Sequence, residues 1–131
     1  METHVIKKIL IALFPVLLLT GGTLSLSAYD SSSRLKALEE FNVKKNAYRL
    51  IRTKSCPKCY LVNAKLSNMD LTGANLQEAN LIGATFVRTT LLGANLKGAR
   101  IAGANFSGAQ WQDGSICQPR SIGQCIRKET E

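Results

Sequence analysis

Histidine is all but missing from this chain: the one imidazole among 131 residues is His4, inside a segment that reads as removable. The remainder then has no imidazole to act as general base, proton shuttle or metal ligand. Carboxylates are sparse too. Between residues 59 and 118 they are Asp70, Glu78 and Asp113, on different repeats and without the pairing that acid/base chemistry needs. The glycines recur at regular intervals instead of clustering, so none forms a phosphate-cradling loop. No cysteine lies between the apolar N-terminal run and Cys56, which leaves no lipid acceptor near a new N-terminus. These scarcities argue against an enzyme and against a resident cofactor or metal.

Residues 1–28 have the composition of a signal peptide. Lys7 and Lys8 precede an apolar run over residues 9–19, broken only by Pro15, and small residues follow at 25–28. Cleavage is expected after Ala28. The alternative is an uncleaved anchor, with the apolar stretch extended through residue 26 to approach the roughly 20 residues that span a bilayer. Export leads to the periplasm or a thylakoid lumen, where thiols tend to pair. The formal charge is +8, and it is unevenly placed. Residues 31–58 hold eight basic side chains against two acidic, net +6, whereas residues 59–118 hold four against three, net +1. Any electropositive face belongs to the segment before residue 59.

From Cys59 the chain divides into fives: CYLVN, AKLSN, MDLTG, ANLQE, ANLIG, ATFVR, TTLLG, ANLKG, ARIAG, ANFSG, AQWQD, GSICQ. The third position is always large and apolar: Leu61, Leu66, Leu71, Leu76, Leu81, Phe86, Leu91, Leu96, Ile101, Phe106, Trp111 and Ile116. The first is Ala except at Cys59, Met69, Thr89 and Gly114. A period of five fits neither helix nor strand. It fits a chain that turns a corner every five residues, with the third and first positions pointing into a narrow bore. Small first residues are then a steric requirement. Four sides make a coil of about 20 residues, and three coils stacked at roughly 4.8 Å bring residue n beside n+20. Met69 and Thr89 fall on one side of adjacent coils, where a locally wider bore is expected.

This A(N/D)LxG pattern resembles the pentapeptide-repeat family. The flanks LIRTKSCPKC and WQDGSIC resemble those of short exported cyanobacterial members. The resemblance implies an all-β fold, the right-handed quadrilateral β-helix of that family, with caps at both ends. Some pentapeptide proteins imitate DNA with a long acidic solenoid, but this one is short and its coils are close to neutral.

Three coils form a thin core, and caps would cover its ends. Val43, Ala47, Leu50 and Ile51 share one helical arc, so Asn42 is expected to cap a helix running to about residue 53 within an N-terminal cap over residues 42–58. Leu35, Leu38 and Phe41 lie on another arc, which makes residues 29–41 a separate lead-in. Residues 59–118 form the solenoid and 119–131 the C-terminal cap and tail. Cys56 and Cys59 read as a structural thiol pair or disulfide, and Cys117 with Cys125 as a local bridge. Bridged Cα atoms must come within roughly 7 Å, and the two pairs sit about three coils apart. A thiol-disulfide redox role for CPKC is the alternative.

On the outside, Val62, Ile82, Val87 and Leu92 are a candidate surface for a protein partner or a homodimer. The basic helix could make weak contact with an anionic membrane; nucleic acid is not expected, since Tyr48 is its one interleaved aromatic. The sequence thus describes an exported, non-catalytic binding or scaffold module.

Overall fold

Every fifth residue of the repeat turns the backbone through a left-handed corner. From Lys58 to Gly108 each fifth position has a positive φ, between 56° and 69°. Six of these eleven positions are glycine; Lys58, Asn63, Asn68, Glu78 and Arg88 adopt the same conformation with a side chain. Between corners one residue per side is extended enough to bridge to the next coil. Parallel bridges join Ser55 to Asn75, Tyr60 to Asn80, Lys65 to Thr85 and Asp70 to Thr90, and the same four sides repeat down to Thr90 with Gln110. The spacing of 20 residues per coil follows directly.

In the computed structural model residues 31–128 are described; the expected leader 1–28, His4 and the final residues 129–131 lie outside them. The expectation of an all-β fold is corrected. Among the described residues the one regular element is a helix, α1 (Ser31–Thr53), and the bridges are isolated, with no named strand or sheet. The cause is geometric. Of the five residues on a side, two point into the bore and two make the corner, so no two consecutive residues can bridge.

Each repeat position has a physical task. Asn or Asp at the second position accepts the backbone N–H two residues on: Asp70 from Thr72 at 2.9 Å, Asn75 from Gln77 at 3.1 Å, Asn95 from Lys97 at 3.0 Å and Asn105 from Ser107 at 3.0 Å. These side-chain turns satisfy a donor that the corner would otherwise strand. Coil-to-coil hydrogen bonds such as Leu61 N–H to the Asn80 carbonyl, 2.8 Å, and Asn80 N–H to the Cys59 carbonyl, 2.9 Å, pair the bridging residues. The third-position residues from Leu61 to Leu91, together with Phe106, are fully buried, as are Ala74, Ala79, Ala84, Ala104 and Ala109. Phe86 and Phe106 stack at 5.1 Å, and Trp111 meets Phe106 edge-on at 4.9 Å. Thr89, an exception to the small-residue rule, is also buried, and its hydroxyl donates to the Leu66 carbonyl at 2.6 Å.

The coil starts earlier than residue 59. Ser55 makes the first bridge and Cys56 occupies a buried third position, so KSCPK is itself a repeat. The coil also ends earlier than residue 118. The positive φ slips from the expected residue 113 to Gly114, at 88°, and the chain reverses. Ile116 then bridges antiparallel to Gln110, and Ile122 to Asn105. Ile116 therefore does not join the core stack; it is 54% exposed, while Cys117 and Ser121 are buried beneath the last coil in its stead. Leu96 and Ile101 are half-buried, since the returning chain bridges the other two sides, at Asn105 and Gln110; Trp111, on one of those sides, is half-buried as well.

At the opposite end α1 closes the bore with Leu50, fully buried, and with Val43 and Ala47 packed on the core. Asn46 Nδ2 donates to the Tyr60 carbonyl at 3.0 Å. The helix does not begin at Asn42, and residues 31–41 are not a separate lead-in: α1 is continuous from Ser31. The change of apolar arc marks where the helix outruns the coil, not a break. Residues 31–42 are all exposed, and the Glu40–Lys44 ion pair at 2.8 Å spans the expected boundary.

Two measurements check this arrangement. Ala84→Leu should lower Tm well below that of Val87→Lys, because bulk in a closed bore costs about 1–3 kcal/mol while an outward change costs roughly 0.5 kcal/mol; equal Tm values would contradict the inward and outward assignment. At Gly93, φ is +65° and nothing lies within 4 Å of an added Cβ. Gly93→Ala should therefore cost about 1–2 kcal/mol through the left-handed corner alone, and an unchanged Tm would refute that requirement.

Candidate functional site

The four cysteines form two bridges, one at each end of the coil. Cys56 and Cys59 are joined with Cα atoms 5.4 Å apart, and Cys117 and Cys125 at 5.0 Å. The first pair consists of a third position and the next first position, both pointing into the bore, so the bridge lies inside the first coil; Cys56 is inaccessible and Cys59 is 7% exposed. The second pair ties the reversed tail to the last coil. Its loop is ordered by Ser121, whose buried hydroxyl donates to the Gln118 carbonyl at 2.6 Å and accepts the Ile126 N–H at 3.1 Å. Gln112 Nε2 caps the Ala94 carbonyl at 2.6 Å.

The acidic residues of the repeats are occupied separately. Asp70 accepts the Thr72 hydroxyl at 2.6 Å and pairs with Lys54, whose ammonium also donates to the Asp70 carbonyl. Glu78 pairs with Lys58 at 3.5 Å. Asp113 accepts the Ser115 hydroxyl at 2.6 Å and pairs with Arg127 at 3.2 Å. The Thr72 and Ser115 hydroxyls, then the backbone N–H groups of the same residues, hold the Asp70 and Asp113 carboxyls below the usual carboxylate range. These acids brace corners and flanks, and no two of them converge. Among the described residues no group of His, Cys, Asp and Glu could hold a metal ion.

The apolar exterior positions are spread around the coil. Val62 and Ile82 stack on one side, linked by the Asn63 N–H to Ile82 carbonyl bond at 2.9 Å, while Val87 and Leu92 sit on the next two sides. The first three are half-buried and Leu92 is 41% exposed. Val62 also lines a shallow cleft between α1 and the first coil, with Lys36, Glu39, Glu40, Val43, Tyr60 and Asn63.

A different apolar surface is larger. Leu35, Leu38, Phe41 and Tyr48 on α1 are each about 60% exposed or more. The separate arc of the first three was legible in the sequence; that it stays uncovered while the helix continues beneath it was not.

Comparison with protein-family models matches pentapeptide repeats, in eight copies, over residues 59–98 and 79–110. A search of curated proteins gave no match to the chain. Proteins of this family are generally non-catalytic, in keeping with dispersed acids and cysteines held in bridges. The corners every five residues, the Ala and Leu positions that fill the bore and the matched repeats identify residues 59–110 of this chain as repeats of the pentapeptide-repeat family.

Proposed function

We propose that this protein is an exported, non-catalytic scaffold or binding module, working in an oxidising compartment such as a periplasm or a thylakoid lumen. The observation that carries the reading is the placement of the two disulfides. One is buried in the first coil and the other fastens the tail to the last, so each stiffens an end where a stack of three coils is weakest. A thin core gains most from such ties, on the order of 2–3 kcal/mol for a short loop. The leader-like composition of residues 1–28 supports export, and the rigid coil then serves to hold its flanking helix and outer faces in a fixed arrangement.

The buried position of Cys56 disfavours the redox alternative, because exchange requires an attacking thiolate to reach a sulfur. Protein isolated from its compartment without reductant should show no alkylatable thiol, and both bridges should have potentials below about −300 mV. Four labelled cysteines would overturn the oxidising compartment, and a potential near that of the compartment would point to exchange chemistry. Cys125→Ser, which removes the second bridge and keeps the first, should speed amide exchange in the last coil and leave the first protected; uniform loss of protection would refute separate tying of the two ends.

A further inference from the structure

We infer that the outward face of α1 is a docking surface for an anionic lipid bilayer. The inference rests on the reading of the protein as a binding module and names the class of its partner. At roughly 100° per residue, the packed residues Leu50, Val43 and Ala47 form one stripe of the helix, and nearly opposite lies an arc about 140° wide that nothing covers. On this arc Leu35, Leu38, Phe41 and Tyr48, exposed by 59–66%, alternate with Arg34, Lys45, Arg49 and Arg52, also exposed. No carboxylate shares it. Glu39 and Glu40 lie on the flanks of the packed stripe and line the cleft against the first coil, and Glu40 is paired with Lys44.

An uncovered helical face of large apolar side chains interleaved with cations, and with no acid among them, matches the interfacial region of an anionic bilayer. The apolar groups enter the acyl boundary and the cations stay at the headgroups. Charge complementarity alone would also suit nucleic acid. That partner would neutralise the arginines but leave Leu35, Leu38 and Phe41 in water, and the one aromatic suited to base stacking, Tyr48, already lies under Arg52 at 6.0 Å. The helix extends about 18 Å beyond Asn42 with every residue exposed, so it can lie along a surface without the coil intervening. Among the described residues no helix is long and apolar enough to cross a membrane, and this contact is one that lies on the surface.

The test uses the full chain and reads the ratio of its partition coefficients on two kinds of vesicle, phosphatidylcholine mixed with phosphatidylglycerol and phosphatidylcholine alone. Any apolar contribution of residues 1–30 is common to all variants and cancels in that ratio. Each basic side chain near an anionic surface contributes about a fivefold gain. The variant Arg34→Gln, Lys45→Gln, Arg49→Gln should therefore lower the ratio by on the order of 100-fold, with helicity and blocked thiols unchanged. An isoelectric control on the coil and tail, Lys97→Gln, Arg100→Gln, Arg120→Gln, should leave it within about threefold. Leu38→Ser with Phe41→Ser should weaken binding to both kinds of vesicle. If the triple variant loses helicity, Arg49→Gln alone, expected to lower the ratio about fivefold, carries the same test. An unchanged ratio in the helix variant, or an equal drop in the control, would overturn the inference. So would sequence-independent binding to an oligonucleotide that survives the Leu38→Ser, Phe41→Ser change while lipid composition has no effect. Failure of the vesicle assay with unreactive thiols leaves the scaffold reading standing, whereas reactive thiols with retained lipid selectivity would remove that reading and keep the membrane contact.

Discussion

The left-handed corner at every fifth residue is the constraint on which the rest of the molecule depends. An L-residue pays roughly 1–2 kcal/mol to adopt it, so glycine and asparagine collect there, and the five-residue side leaves room for one bridging residue. Two inward positions per side then decide composition: one must be large to fill the bore, the other small enough to admit it. The Asx turn at the second position completes the unit by satisfying the amide that the corner exposes. Where the corner slips by one residue, at Gly114, the coil stops and the chain doubles back.

A stack of this kind is strong along its sides and weak at its ends, because each coil is supported only by its neighbours. The two ends are closed differently. The first coil has α1 above it, with Leu50 as a plug and a disulfide folded into the bore. The last has a reversed tail under two of its sides, fixed by Ser121 and the second disulfide, while Leu96 and Ile101 remain half-buried on the others. The ion pairs Lys54–Asp70, Lys58–Glu78 and Asp113–Arg127 act at the same junctions. They are exposed and worth little singly, so the stiffness of the ends rests on packing and covalent ties.

The division of labour between coil and helix bears on function. The acids of the coil are paired or hydrogen-bonded at its corners and ends. Much of the charge excess is on α1, and so are the four most exposed large apolar side chains, Leu35, Leu38, Phe41 and Tyr48. Under the proposed membrane contact, the coil holds one amphipathic helix outward, with its acids turned toward the coil, and the partner is placed at one end.

Much of this was written in the period of five. The bore-lining residues from Leu61 to Phe106, the small first positions and the spacing of 20 residues per coil follow from steric exclusion and chain closure, which are local rules repeated along the sequence. The same rules did not reveal KSCPK as a repeat, since its bore residue is Cys56 and its first and fifth positions are lysines. Nor did they reveal that Ile116 leaves the stack, because GSICQ satisfies the apolar pattern and only the backbone at Gly114 ends it. The extent of α1 was hidden for a related reason: a change of apolar arc looks like a break until the tertiary structure shows that the coil beneath has ended and the helix has not. Sequence alone determined what must face the bore, because every repeat meets the same steric limit. Where the stack starts, where it stops and which side of the helix is left uncovered were decided by the tertiary structure, because those depend on what lies next to each end.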